Sequence, residues 1–129
     1  MKHTIALAQI DNVLADLPKN IAAHLDLIRR AKEGGADLVV FPELSLSGYG
    51  LQDSYDDLAL RAGDDRRLRG ILRESREISI LLGAVEESGE FGIFNAGLFF
   101  EGGKLLHVHR KLYPPTYGMF EEGRHFRPG

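Results

Sequence analysis

Cysteine is missing from this chain of 129 residues. Its absence excludes disulfides and thiolate metal sites within these residues, and it leaves them without a thiol nucleophile. Neither sign of charge dominates: 16 Lys and Arg stand against 19 Asp and Glu, interspersed, for a net charge of −3. That balance gives no basic surface for nucleic acid or for an anionic membrane. No apolar run approaches the roughly 20 residues needed to cross a bilayer. The first residues, Met1 to Ile10, carry one lysine and a short apolar stretch, then pass into Asp11-Asn12 with no small-residue cleavage signature. They read as a strand and not as a signal peptide, so a cytoplasmic setting is expected. Neither phosphate-cradling glycine pattern is present, and no G-x-S-x-G elbow surrounds a serine.

What is present is an α/β pattern. At 43% apolar and 27% charged residues the chain is globular, with length for one domain and a sizeable core. Thr4 to Ile10 reads as a buried strand. Asp16 is a plausible cap for a helix with Pro18 in its first turn and Ile21, Leu25, Ile28 and Ala31 on one face; Gly34-Gly35 ends it. Leu38 to Phe41 is the second strand. Leu51 to Ala62 reads as a loop with one or two helical turns. Asp64-Asp65 can cap a second helix running through Arg76, with Leu68, Ile71 and Leu72 as its buried stripe. Ile78 to Val85 is a strand, and Glu86 to Glu90 a turn-rich link. Phe91 to Phe100 and Leu105 to Arg110 pair through a turn at Glu101-Gly-Gly-Lys104. Strands that alternate with helices favour parallel pairing, and the closing hairpin makes the sheet mixed. Phe91, Phe94, Phe99 and Phe100 read as core.

Two segments carry chemistry. In Leu38-Val-Val-Phe-Pro-Glu-Leu-Ser-Leu-Ser-Gly-Tyr49 an apolar strand stops at Pro42, and Glu43 follows. Ligands collect at the carboxyl ends of strands in open α/β sheets. Apolar flanks should partly desolvate this carboxylate, which suits it to act as a general base. Lys111 holds the corresponding place at the end of a later strand, stopped by Pro114-Pro115. An ammonium there can stabilise the oxyanion formed when an amide or nitrile carbon is attacked. Glu121-Glu122 can cap a loop, hold the lysine or orient substrate. His107 and His109 share a strand face, but two imidazoles without a third ligand make weak metal sites. His3, His24 and His125 show no ligand spacing. Ser45 and Ser47 lie near Glu43 without a nucleophile elbow.

Together the two segments resemble the carbon–nitrogen hydrolase (nitrilase) superfamily. Gly35 to Tyr49 resembles its glutamate motif, His109 to Phe126 its lysine motif, Ile5 to Ile10 its opening strand and Phe94-Asn95-Ala96 the segment before its hairpin. The resemblance implies part of a four-layer α-β-β-α sandwich, commonly assembled into homo-oligomers, and no metal or organic cofactor. It implies Glu43 as general base, Lys111 as stabiliser of the tetrahedral intermediate, and Glu122 (with Glu121 the alternative) as a supporting glutamate. Its nucleophile is a cysteine in a segment that follows the lysine motif. On that basis residues 1–129 are expected to be the N-terminal part of one such domain, inactive alone, with apolar faces uncovered. The expected substrate is a small amide or nitrile. A glutaminase domain of a glutamine-dependent NAD synthetase and a non-catalytic binding relative are the alternatives.

Overall fold

The computed structural model describes residues 2–129. Five strands form one mixed sheet in sequence order: β1 (Ile5–Leu7), β2 (Leu38–Val40), β3 (Ser79–Glu87), β4 (Ile93–Glu101) and β5 (Lys104–Arg110). β1, β2 and β3 pair in parallel, and β3, β4 and β5 antiparallel. The helices are α1 (Leu17–Glu33), α2 (Tyr55–Leu58), α3 (Arg69–Glu74) and α4 (Glu122–His125). None is long and apolar enough to cross a membrane, among the described residues.

The long helix begins and ends where its residues direct. The Asp16 carboxylate accepts from Lys19 N at 3.1 Å, and Pro18 sits where its missing N–H costs nothing. At the other end Gly35 takes φ 73°, and Ala36 N bonds back to Ala31 O at 3.0 Å. The buried line of α1 is Leu17, Asn20, His24 and Ile28; Ile21, Leu25 and Ala31 flank it, half-buried.

Strand alternation divides the sheet into two unlike faces. Ile80, Leu82 and Ala84 of β3 lie opposite Phe100, Leu98 and Ala96 of β4. These residues form the main core with Leu17 and Ile28 of α1, Ile71 of α3 and the preceding Leu68. On the other face Tyr55 of α2 and Phe126 pack on Val85 at one end of the sheet. Its edge residues Ile5 and Leu7 are 56% and 81% exposed, so β1 is a short edge strand and not the buried strand expected over Thr4 to Ile10. A smaller cluster of Leu44, Leu51, Tyr55, Val85 and Phe126 closes one end.

Three further local expectations change. The second helix is a 3-10 turn, Arg66–Leu68, followed by only six α-helical residues. Asp65 does cap it, through Arg67 N at 2.9 Å. Glu86 and Glu87 belong to β3 and not to a link. Glu86 is buried because Arg110 reaches across to it with two hydrogen bonds of 2.8 and 2.9 Å. Phe91 is 76% exposed with φ 60°, since it sits in the turn closed by Ser88 N to Gly92 O.

Candidate active site

Glu43 is presented by an arch. β2 leaves the sheet at Val40, yet Phe41 N still bonds Leu81 O at 2.8 Å and Leu46 N bonds Gly83 O at 3.1 Å. Between these anchors the chain crosses over Gly83. A Cβ on Gly83 would collide with Leu44 N and lie 2.6 Å from Pro42 O, so only glycine permits the crossing. Leu44 adopts φ 48°, a left-handed conformation that a branched residue enters only when its surroundings impose it. Ser47 N and Gly48 N both bond back to Leu44 O, at 3.1 and 2.8 Å, which closes the turn.

Lys111 follows β5 directly and keeps one further sheet bond, Lys111 N to Asn95 O at 2.8 Å. The chain then turns through Pro114-Pro115 and returns, with Glu122 N bonded to Pro115 O at 3.0 Å. That return sets Glu122 at the start of α4 with its side chain inward and leaves Glu121 exposed.

The three side chains meet. Lys111 Nζ donates to Glu43 Oε1 at 2.7 Å and to Glu122 Oε1 at 3.0 Å. Asn95 Nδ2 donates to Glu43 Oε1 at 2.6 Å and to Glu122 Oε2 at 3.4 Å. Tyr49 OH donates to Glu122 Oε1 at 2.6 Å. Side-chain exposure falls from 49% at Glu43 to 31% at Lys111 and 4% at Glu122. Glu43 is thus half-exposed, the partly desolvated carboxylate expected. Leu44 turns away into the smaller core cluster.

Burial works to lower the proton affinity of Lys111, but the carboxylates of Glu43 and Glu122 outweigh it and hold the ammonium above its ordinary range. Burial first, and then the Glu122 carboxylate, push the Tyr49 phenol well above its ordinary range. At neutral pH the centre therefore holds a charged lysine and a neutral tyrosine donor. Beside it opens a cavity of about 480 Å³. Its walls are largely apolar, including Phe41, Leu81, Gly97 and Tyr113, with Glu43, Asn95 and Lys111 supplying polar groups.

Neither nearby serine is available to a substrate. Ser45 Oγ lies 2.9 Å from His24 Nε2, which has the look of a nucleophile and its base, but both residues are fully buried. Ser47 is also buried and donates to backbone carbonyls. His107 and His109 are exposed, with ring centroids 6.0 Å apart. Asn95, Tyr49 and His24 were given no role by the sequence reading. A single amide inside an apolar strand and a histidine four residues from Asn20 and from Ile28 were the signals that could have found two of them.

The end of β2, the end of β5 across two intervening strands of the sheet, and the start of α4 thus bring a glutamate, a lysine and a second glutamate together. The chain belongs to the carbon–nitrogen hydrolase family, whose model matches residues 4–128. It is similar to the glutamine-dependent NAD(+) synthetase of Thermotoga maritima, at 32% identity over 97% of this chain and 22% of that protein. It is similar to that of Acinetobacter baylyi, at 33% identity over 97% of this chain and 23% of that one. Among solved structures it resembles an amidase from Nesterenkonia sp. AN1, at 28% identity, TM-score 0.81, and 99% of this chain against 50% of that one. A mutant of that amidase shows Michael addition of acrylamide at an active-site cysteine. The chain thus spans less than a quarter of the length of these curated relatives and half of that amidase.

Proposed function

We propose that these residues supply the base, the oxyanion-stabilising cation and the supporting carboxylate of a thiol-dependent amidase acting on a small amide or nitrile. The observation that carries this reading is Lys111 Nζ bridging Glu43 and Glu122, with Glu43 and Lys111 lining the cavity. The thiol comes from a cysteine outside residues 1–129, since these contain none. Glu43 takes the thiol proton, and the thiolate attacks the amide carbon. The carbonyl π pair moves to oxygen, where the Lys111 ammonium balances it. Glu43 returns the proton to the nitrogen, the C–N bond breaks, and ammonia leaves a thioester. Glu43 then deprotonates water, hydroxide adds to the thioester, and breaking of the C–S bond releases the acid and restores the thiol. Glu122, held by Tyr49, Asn95 and Lys111, keeps the ammonium in place throughout.

A second reading fits about equally: a glutaminase domain that passes ammonia to an NAD synthetase. The curated relatives above carry that name, and the glutamine side chain is itself a small primary amide. The test is ammonia release by the protein that joins these residues to a cysteine-bearing segment. Release from simple aliphatic amides supports the first reading. Release from glutamine alone, coupled to ATP-dependent amidation, supports the second. Release from no amide or nitrile overturns both and leaves a non-catalytic relative.

A further inference from the structure

We propose that His24 is a positioning residue for Glu43: by accepting the Ser45 hydroxyl proton, it locks the left-handed turn that aims the carboxylate at Lys111. The catalytic meaning of this rests on Glu43 as the base; the positioning itself does not. β2 ends its pairing with β3 at Val40 and Leu81, so on that edge the N–H and C=O of Gly83 have no strand opposite. The arch takes them up. Leu46 N donates to Gly83 O at 3.1 Å, and Gly83 N donates to Ser45 Oγ at 3.3 Å. Ser45 thereby replaces a strand backbone two residues after Glu43.

The hydroxyl needs a direction to do so, and His24 gives it one. His24 Nδ1 is 2.7 Å from Asn20 O, which can only accept, so Nδ1 carries a proton. Burial brings the ring down to about 4, so it is neutral near pH 7 and its Nε2 is a bare acceptor. Of the two acceptors in reach of the Ser45 proton, Nε2 at 2.9 Å takes it over Gly83 O at 3.4 Å, leaving an Oγ lone pair for Gly83 N–H. The imidazole is stacked on Phe41, with centroids 4.2 Å apart at 24°, which fixes its plane. Asn20 adds a second tie, donating to Val13 O at 2.8 Å and to Leu46 O at 2.9 Å. Helix α1 thus grips both the turn and the strand end that carry Glu43.

The test is side-chain NMR on the full chain. In the wild type, the His24 ring nitrogens should show the neutral form protonated at Nδ1. His24→Leu should move the Glu43 carboxyl-carbon and Lys111 Nζ resonances together. His24→Gln, whose amide oxygen can take the same proton, should return both towards wild type. Should His24→Leu not fold, Ser45→Ala removes the same link with a smaller change and is read in the same way. Should that fail as well, the wild-type tautomer decides. A ring protonated at Nε2, a charged ring near pH 7, or folded variants whose Glu43 and Lys111 resonances stay put overturns the proposal, whatever happens to thermal stability. None of these readouts uses turnover, so failure of the amidase reading would leave them intact.

Discussion

Gly83 and Leu44 are in backbone contact, with no room between them for a single carbon. The obstructing atoms are Leu44 N and Pro42 O, which cannot rotate aside. Gly83→Ala should therefore lower stability by roughly 1–3 kcal/mol and displace the arch, breaking the Glu43 contact to Lys111. Gly97→Ala provides the contrast on the neighbouring strand, because a Cβ there meets only Leu81 Cδ1 at 3.7 Å. It should be neutral to within about 0.5 kcal/mol. Denaturant unfolding of the two variants checks both.

Removing the cation strands a buried charge. Lys111→Met leaves the Glu122 carboxylate, only 4% exposed, with Tyr49 and Asn95 as its remaining donors. The expected loss is roughly 2–4 kcal/mol. Glu122→Gln in the same chain removes the unpaired charge and should recover part of it. A double-mutant cycle measures the coupling, and additive losses would show that the pair does not interact.

The Tyr49 phenol should stay protonated well above the usual tyrosine range, because ionising it would bury a second negative charge against Glu122. Following the tyrosine ring carbons by NMR through alkaline pH tests this. Tyr49→Phe should cost about 1.5–3 kcal/mol, the worth of a hydrogen bond to a charged group.

His24 ties stability to acid. Its pKa is lowered from 6.5 to about 4 on folding, so between these values the unfolded chain binds the extra proton and the folded chain does not. Stability contributed by the neutral ring is complete above pH 6.5 and is lost as pH falls towards 4. The loss from this group is about 3 kcal/mol. Unfolding curves across that range should show the slope in the wild type and a shallower one in His24→Gln.

Glu43 and Lys111 were legible because proline marks strand ends: Pro42 and Pro114 stop two apolar runs beside the two charges. Glu122 was separated from Glu121 only through the family resemblance, since adjacent residues at a helix start point in different directions and sequence does not say which is inward. The apolar members of the α1 stripe were legible, since all four pack in or on the main core, but its polar members were not. Counting apolar residues gave Ile21, Leu25, Ile28 and Ala31, while the line that faces the core includes two polar residues, Asn20 and His24, whose partners lie on the arch. Glu86 looked like a link residue because its neutralising Arg110 is 24 residues away.

The most direct measurement of the central claim is the rate of ammonia release by Glu43→Gln in the cysteine-bearing protein. Loss of a general base should lower turnover by roughly 10²–10⁴-fold, with folding and the position of Lys111 preserved. Turnover within about threefold of wild type would contradict the account, since a positioned base contributes far more than that.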